Sequence, residues 1–258
     1  MRFQLLPSSF DDDGRASRRQ HLACFIVDDS VALDAGSLAM GTNSIQKKGV
    51  RDVVLTHAHL DHIAGLPLFI DDLFASVKRT IKVHATREVI EILERDIFNW
   101  SIYPRFSELR NENGVVMEYV PFEPEMDFQV KHLQIKAIGV NHKVPAVGFI
   151  VSDGRSRIAM SSDTAAMERF WEVVNEQADL SAVLVECAFP DELAALAELS
   201  HHLTPSGLRR EISKLKKADC PVYVINIKPM YYEQVVLEIC QLGIENLQVL
   251  EVGKVYEW

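Results

Sequence analysis

The order of hydrophobic and polar positions along the chain predicts short buried strands and amphipathic helices. Short, continuously apolar runs such as 52–55 are typical of strands covered on both faces. In the last third, strand patterns alternate with segments whose apolar residues recur at helical spacing. The predicted strands are 21–27, 30–34, 52–55, 81–84, 147–151, 156–160, 182–186, 222–225 and 247–250, and the whole of 127–158 is strand-rich. The predicted helices are 37–48, 63–74, 86–98, 165–177, 191–199, 205–217 and 231–242.

Turn signals and one irregular segment complete this pattern. Asp28-Asp29 predicts a hairpin turn between the first two strands, and Asp153-Gly154 a tight turn between 147–151 and 156–160. The segment 99–113 mixes aromatic and polar residues without a regular period, and we expect it to form a lid or an excursion from the main fold. No linker rich in Pro, Gly or Ser divides the chain. We therefore predict one α/β domain over residues 1–258, with helices on the outside of its sheets.

Composition and charge narrow the classes of function. Hydrophobic residues make up 48% of the chain and charged residues 25%, which is ample for a core. The formal net charge of −10 repels a polyanion at long range, so a long nucleic acid is disfavoured as a partner. A small phosphorylated ligand is not excluded, because a metal site neutralises its charge locally.

The cysteines and the N-terminus indicate a reducing compartment. Cys24, Cys187, Cys220 and Cys240 are widely spaced in apolar stretches, and we expect them to be buried free thiols. The N-terminus has no apolar core long enough for a signal peptide, and no apolar run approaches the ~18 residues of a membrane span. We predict a cytoplasmic location and no membrane partner.

A run of metal-binding residue types follows the predicted strand 52–55. His57, His59, Asp61 and His62 form the pattern H-x-H-x-D-H. Alternate residues of an extended segment project to the same side, so His57 and His59 can face one ion. Asp61 and His62 fall where the chain leaves the strand and can face a second ion. Imidazole nitrogens and carboxylate oxygens suit zinc, iron or manganese.

Further ligands are expected at other strand ends, where loops on a rigid scaffold carry function. His142 follows the apolar run 133–140, and Asp163 follows the strand 156–160. Asp163 has an alternative role as the N-cap of the helix predicted from Ala165. The remaining histidines (His21, His84, His132 and His201) are assigned to the surface or to packing.

The chain resembles the metallo-β-lactamase superfamily, whose fold is an αββα sandwich of two mixed sheets flanked by helices. The segment 56–66 resembles the signature of class II cyclic-nucleotide phosphodiesterases, which are related to RNase Z. The resemblance extends over nearly the whole chain through His142, Asp163 and the segments 186–190, 202–205 and 227–229. It implies that His57, His59 and His142 hold one metal, that Asp61 and His62 hold the other, and that Asp163 bridges both.

The resemblance also implies two divalent metal ions, with zinc expected first and manganese or iron as alternatives. The family has a final histidine just before the Ile-Lys-Pro segment, whereas this chain has Asn226. An amide oxygen binds zinc more weakly than an imidazole does. We therefore include Asn226 among the metal ligands and expect the second site to be the weaker one.

The expected reaction is attack of a metal-bridging hydroxide on a phosphodiester. We assign Asp61 to orient the hydroxide, His202 to protonate the leaving group or to contact the phosphate, and Glu186 to orient His202. The segment 200–204 has the alternative role of a helix entry capped by Thr204. Lys228 is either a phosphate contact or a solvated lysine. Tyr231 and Tyr232 either stack on a base or pack in the core.

The function expected from these residues is hydrolysis of a small phosphodiester, foremost a 3′,5′-cyclic nucleotide. RNase Z-like tRNA processing is the enzymatic alternative, but the chain has neither a basic balance nor a basic, Gly-rich arm. Hydrolysis of a β-lactam, thioester or lactone fits the later motifs less well. A non-enzymatic alternative is a sensor that binds metal or nucleotide, with Asn226 as the mark of a degraded site. A homodimer is compatible with the sequence.

Overall fold

The structure is a computed structural model that describes residues 1–258. Two seven-stranded sheets form its centre, and a two-stranded hairpin lies apart from them. The strands are β1 (Arg2–Leu5), β2 (Phe25–Val27), β3 (Val31–Leu33), β4 (Asp52–Val54), β5 (Ile81–Ala85), β6 (Arg110–Asn111), β7 (Gly114–Val115), β8 (Met117–Pro121), β9 (Asp127–Val130), β10 (Leu133–Gly139), β11 (Val147–Ser152), β12 (Arg157–Met160), β13 (Leu180–Glu186), β14 (Val222–Ile225), β15 (Leu247–Val249) and β16 (Val255–Glu257).

Both sheets are mixed in the same way. The first has the order β16-β1-β2-β3-β4-β5-β8 and the second the order β15-β14-β13-β12-β11-β10-β9. In the first, β3, β4, β5 and β8 run parallel, and in the second β12 to β15 do so. The other neighbours pair antiparallel. The predicted pair of mixed sheets is confirmed.

Helices cover the outer face of each sheet. They are α1 (Leu38–Gly41), α2 (Ser44–Gly49), α3 (Leu60–Ile63), α4 (Gly65–Leu73), α5 (Arg87–Ile92), α6 (Arg169–Asn175), α7 (Ala194–Ser200), α8 (Pro205–Ile212) and α9 (Tyr232–Gln241). A π-helical turn, Leu93–Ile97, continues α5, and single 3₁₀ turns occur at Phe106–Glu108, Asp191–Leu193 and Pro229–Tyr231. None of these helices has both the length and the apolar character to cross a bilayer.

Three apolar layers result from the two-residue period of the strands. Along β13, Ala182 and Leu184 face the space between the sheets, whereas Val183 and Val185 face the helices behind the second sheet. Phe3 and Phe149, from opposite sheets, lie in the same inner layer. The outer layers bury one face of α4 against the first sheet and one face each of α6, α8 and α9 against the second.

Several predicted boundaries were wrong for local reasons. The predicted helix 37–48 is two helices, because Asn43 caps α2 and forms a reciprocal capping box with Gln46. The predicted helix 165–177 begins only at Arg169, and 205–217 ends at Ile212. The strands β1, β8 and β16 were missed. Cys240 is exposed, so the expectation of burial holds for the other three cysteines only.

The segment 99–113, expected to be a lid or an excursion, packs beside α4 and buries Phe106 in the outer layer of the first sheet. Asn111 Nδ2 donates to the carbonyl oxygens of Phe74 and Val77, each at 2.8 Å. The Tyr103 hydroxyl donates to Asp71 at 3.3 Å. These contacts place the segment on the outer helical layer of the first sheet.

We predict that Phe149→Ala destabilises the fold by about 3–5 kcal/mol, because it leaves a cavity between the sheets. Phe149 is fully buried there. Urea unfolding followed by circular dichroism measures the difference. The matched control is Phe10→Ala, whose side chain is 55% exposed and whose effect we expect to stay within about 0.5 kcal/mol. Equal effects of the two substitutions would contradict this assignment of the core.

Candidate metal centre

The parallel strands of both sheets end at one common edge, and the predicted site residues lie just beyond these ends. β4 is followed by Leu55 and Thr56 and then by the histidine run, while β14 leads directly into Asn226. Loops after the carboxyl ends of parallel strands converge at such an edge. The sheets are also connected there, since the Val147 N–H donates to the Thr56 carbonyl at 3.1 Å.

The histidine run is held in place by its backbone. His59 is the N-cap of α3, so Asp61 and His62 lie in a helical turn and not on the exit of the strand. The Ala23 N–H donates to the Asp61 carbonyl at 2.8 Å. Gly36 packs against the same carbonyl, and a Cβ at this position would overlap its oxygen. The absence of a side chain at Gly36 is therefore what allows this close approach.

The rings of His57, His59 and His142 form a nearly equilateral triangle. Their centroids are 4.8 Å (His57–His59), 4.9 Å (His57–His142) and 4.8 Å (His59–His142) apart. His59 Nδ1 lies 3.1 Å from His142 Nε2. Asp163 directs an oxygen into the same space, so one ligand atom from each of the four residues lies within 4.8 Å of the others. The first predicted set of metal ligands is thus brought together.

The hydrogen bonds of His57 show that this set fits a metal ion. Its Nδ1 is 2.9 Å from the Thr56 hydroxyl, which in turn donates to the Asp34 carboxylate at 2.9 Å. The ring therefore donates its Nδ1–H to Thr56, and Nε2 keeps a lone pair. This Nε2 is buried and has no hydrogen-bond partner. A buried lone pair is costly unless it meets a donor or a cation, and three imidazoles with one carboxylate suit zinc, manganese or iron.

Burial also keeps these imidazoles in the form that binds metal. Burial, reinforced by the charge of His62, lowers the pKa of His57 well below its usual value. Burial lowers the pKa of His59 as well. It lowers the pKa of His142 to about 4. Neutral rings with free lone pairs are therefore present at neutral pH without a proton having to be displaced.

The second predicted set, Asp61, His62 and Asp163, is also gathered within 4.8 Å. The metal-ligating atoms of this set already contact other groups of the protein. His62 Nδ1 lies 2.7 Å from Asp34 and its Nε2 lies 3.5 Å from Asp163. The Lys228 ammonium lies 3.1 Å from Asp61. The two sets share Asp163. They differ because the ligand atoms of the second set already contact charged groups of the protein, whereas His57 Nε2 of the first set has no hydrogen bond.

Asp34 is the site residue that the sequence interpretation missed. Its buried carboxylate accepts hydrogen bonds from the Thr56 N–H at 2.8 Å, from the Thr56 hydroxyl and from the His62 ring. It thereby orients His62 directly and His57 through Thr56. The sequence did contain a signal for Asp34, because this carboxylate directly follows a buried strand, and Asp163 follows one by three residues.

Asn226 lies at the site but turns its NH₂ group toward it. Asn226 Nδ2 donates to Asp163 at 2.6 Å, while its amide oxygen accepts from Gln20 Nε2 at 3.1 Å. The Asn226 N–H also donates to the Gln20 side-chain oxygen at 3.3 Å. The expectation that the Asn226 oxygen faces the metal is therefore not met, because Gln20 holds that oxygen.

His202 and Glu186 form a buried pair beside Asp163. The His202 Nδ1–H donates to Glu186 at 2.7 Å. Glu186 is fully buried and also accepts from the backbone N–H groups of Thr164, Ala188 and Leu203. Thr204 caps α8 as the alternative interpretation expected, accepting from the Gly207 N–H at 3.3 Å, and this does not displace His202.

The remaining residues singled out in the sequence have structural partners. Tyr231 and Tyr232 pack against the apolar layer behind the second sheet, in agreement with the packing alternative. His84 is buried 3.1 Å from Asp52. His201 contributes through its backbone, because its carbonyl accepts the His142 Nδ1–H at 3.1 Å. That bond leaves His142 Nε2 free to face the ring of His59.

The fold and this donor set together define a class, the αββα proteins that bind divalent metal at one edge of two mixed sheets. The family described as the beta-lactamase superfamily domain matches residues 33–220. The chain belongs to this superfamily and has the metallo-β-lactamase fold.

Curated relatives share 24–28% of their aligned residues with this chain. A probable 3′,5′-cyclic-nucleotide phosphodiesterase of Yersinia pestis is 24% identical over 73% of this chain and 60% of that protein. The 3′,5′-cyclic-nucleotide phosphodiesterase 1 of Saccharomyces cerevisiae is 28% identical over 65% of this chain and 51% of the relative. The chain thus spans between half and two thirds of the length of these relatives. Among solved structures, the metallo-beta-lactamase fold protein YhfI of Bacillus subtilis has a TM-score of 0.74 at 14% identity over 99% of both chains, which shows a shared fold.

We predict that Asp34→Asn weakens metal binding by about 10–100-fold, because the amide cannot accept all the hydrogen bonds that orient His57 and His62. Competition with a chromophoric chelator measures the affinity for zinc. The matched control is Asp72→Asn, since Asp72 is half exposed and pairs only with Lys47 on the surface. An unchanged affinity in Asp34→Asn would show that Asp34 does not position the ligands.

Proposed function

We propose that this chain is a metal-dependent phosphodiesterase that hydrolyses a small phosphodiester, foremost a 3′,5′-cyclic nucleotide. The observation that carries the proposal is the triangle of His57, His59 and His142, with an unpartnered Nε2 and the Asp163 carboxylate facing its centre. The names of the two curated relatives support the choice of substrate class. The net charge of −10 favours a small substrate over a long nucleic acid.

The metal ligands in this proposal are the four residues of the first set, with zinc as the ion and manganese or iron as alternatives. When bound there, a divalent ion would polarise a phosphoryl oxygen and would lower the pKa of water. Asp61 lies at the open side of the centre, where its side chain is 33% exposed. It accepts a hydrogen bond from the attacking water and so orients it toward phosphorus.

His202 supplies the proton for the departing oxygen. Burial alone would lower the pKa of His202, but the hydrogen bond to Glu186 raises it above its usual value. The shift favours the doubly protonated ring, which is the form that can act as an acid. Because its Nδ1–H is fixed on Glu186, the opposite nitrogen is directed away from Glu186 and carries the proton that is transferred. Glu186 positions this ring and does not contact the substrate.

We predict that chelation abolishes turnover and that zinc or manganese restores it. The assay uses bis(p-nitrophenyl) phosphate and a panel of 3′,5′- and 2′,3′-cyclic nucleotides.

Asp61→Ala should lower kcat in the same assay by at least about 100-fold while the protein keeps its metal. Asp72→Ala, on the surface near Lys47, is the matched control and should behave as wild type. A metal-loaded protein that turns over no diester would instead indicate a sensor, and cleavage of precursor tRNA alone would indicate RNase Z-like processing.

We predict that the effect of His202→Ala depends on the leaving group. Hydrolysis of a cyclic nucleotide, which releases an alkoxide that needs a proton, should fall by about 10²–10⁴-fold. Hydrolysis of bis(p-nitrophenyl) phosphate should fall much less, because p-nitrophenolate leaves without protonation. Glu186→Gln should also slow hydrolysis of the cyclic nucleotide more than that of bis(p-nitrophenyl) phosphate, but by smaller factors. The double variant Glu186→Gln/His202→Ala should lose no more activity than His202→Ala alone. Equal losses on both substrates would assign His202 to phosphate binding.

A further inference from the structure

The two donor sets differ in what already occupies their lone pairs. In the first set, His57 Nε2 has no partner. In the second set, the Lys228 ammonium lies 3.1 Å from Asp61 and the Asn226 NH₂ group lies 2.6 Å from Asp163. Each carboxylate that would bind a second ion therefore already contacts a positive or partly positive group of the chain.

The orientation of Asn226 is fixed by more than one contact. Its amide oxygen and its backbone N–H both bond to the side chain of Gln20, at 3.1 and 3.3 Å. Its backbone is left-handed, with φ of 58°, a conformation that Asn tolerates better than most residues. Turning the amide to present its oxygen to a metal would place two NH₂ groups, those of Asn226 and Gln20, against each other. The NH₂ group therefore stays on Asp163.

Lys228 is placed as firmly. Its backbone N–H donates to the Ala188 carbonyl at 3.1 Å, and Pro229 after it begins a 3₁₀ turn. Its ammonium lies 3.1 Å from the Asp61 carboxylate, and Asp61 is gathered with Asp163 in the second set. A divalent ion between these two carboxylates would lie within a few ångströms of this ammonium. Repulsion at such a distance is substantial in a half-buried site.

We propose that the centre holds one resident metal ion, on His57, His59, His142 and Asp163. With the Asn226 NH₂ group on Asp163 in place of a metal-binding histidine, the Lys228 ammonium beside Asp61 is enough to keep a second ion out. The Lys228 ammonium then supplies, beside Asp61, the positive charge that a second metal would bring to a bound phosphate. This inference rests on the metal-binding part of the proposed function and not on its substrate. A count of bound ions therefore tests it without any turnover.

The experiment measures bound metal in the full chain. Protein freed of metal by chelation is dialysed against buffered zinc, and in parallel against manganese, and the ions per chain are counted by elemental analysis. We expect one ion in the wild type. The manganese form should give the six-line electron paramagnetic resonance signal of an isolated ion. Two ions of comparable affinity in the wild type, or a coupled manganese spectrum, would overturn the proposal, and this measurement requires no variant.

Variants then test the assigned cause. Lys228→Met should tighten binding of a second ion by at least about tenfold, since it removes the nearby charge and keeps an unbranched side chain that is one atom shorter. Lys228→Met combined with Asn226→His should bind two ions. Lys228→Arg keeps the charge and should stay at one ion, as should Lys216→Met, a change at an exposed lysine. Retention of the first ion shows that a variant is folded, and a folded double variant that still binds one ion would overturn the assignment.

Discussion

The contact between the inner faces of the two sheets is the interaction on which the rest of the molecule depends. Residues such as Phe3 and Phe149 exclude water from this layer, and burial of apolar area is the main favourable contribution to folding. With the sheets packed in this way, the parallel strands of both end at the same edge. The metal-binding residue types at those ends then meet, although they are far apart in the sequence.

The site illustrates how such an edge can hold polar groups that would be costly elsewhere. Asp34 is buried, yet its carboxylate is satisfied by Thr56 and His62. Glu186 is buried and accepts from three backbone N–H groups in addition to His202. The contrast is His57 Nε2, which is buried without any partner. A buried ring nitrogen without a hydrogen bond is costly, and a cation at this position would remove that cost.

The outcome of the sequence predictions depends on whether a feature is local. The strand β13 and the helix α9 were found because their apolar periods are complete within the segment. β1 and β16 were missed because each is short and is stabilised by pairing with the other from opposite ends of the chain. The break between α1 and α2 depends on the capping box of Asn43, which a helical apolar pattern does not reveal.

By itself, the sequence determined which chemistry is available. The H-x-H-x-D-H run after a buried strand, with His142 and Asp163 at later strand ends, already predicts a metal site. Only the tertiary structure decided how the donors are used. Gln20 and Asn226 meet across 206 positions, and Lys228 and Asp61 across 167. No local pattern encodes which group faces an acceptor, because that choice is made by hydrogen bonds and charges from distant segments that only folding brings into contact.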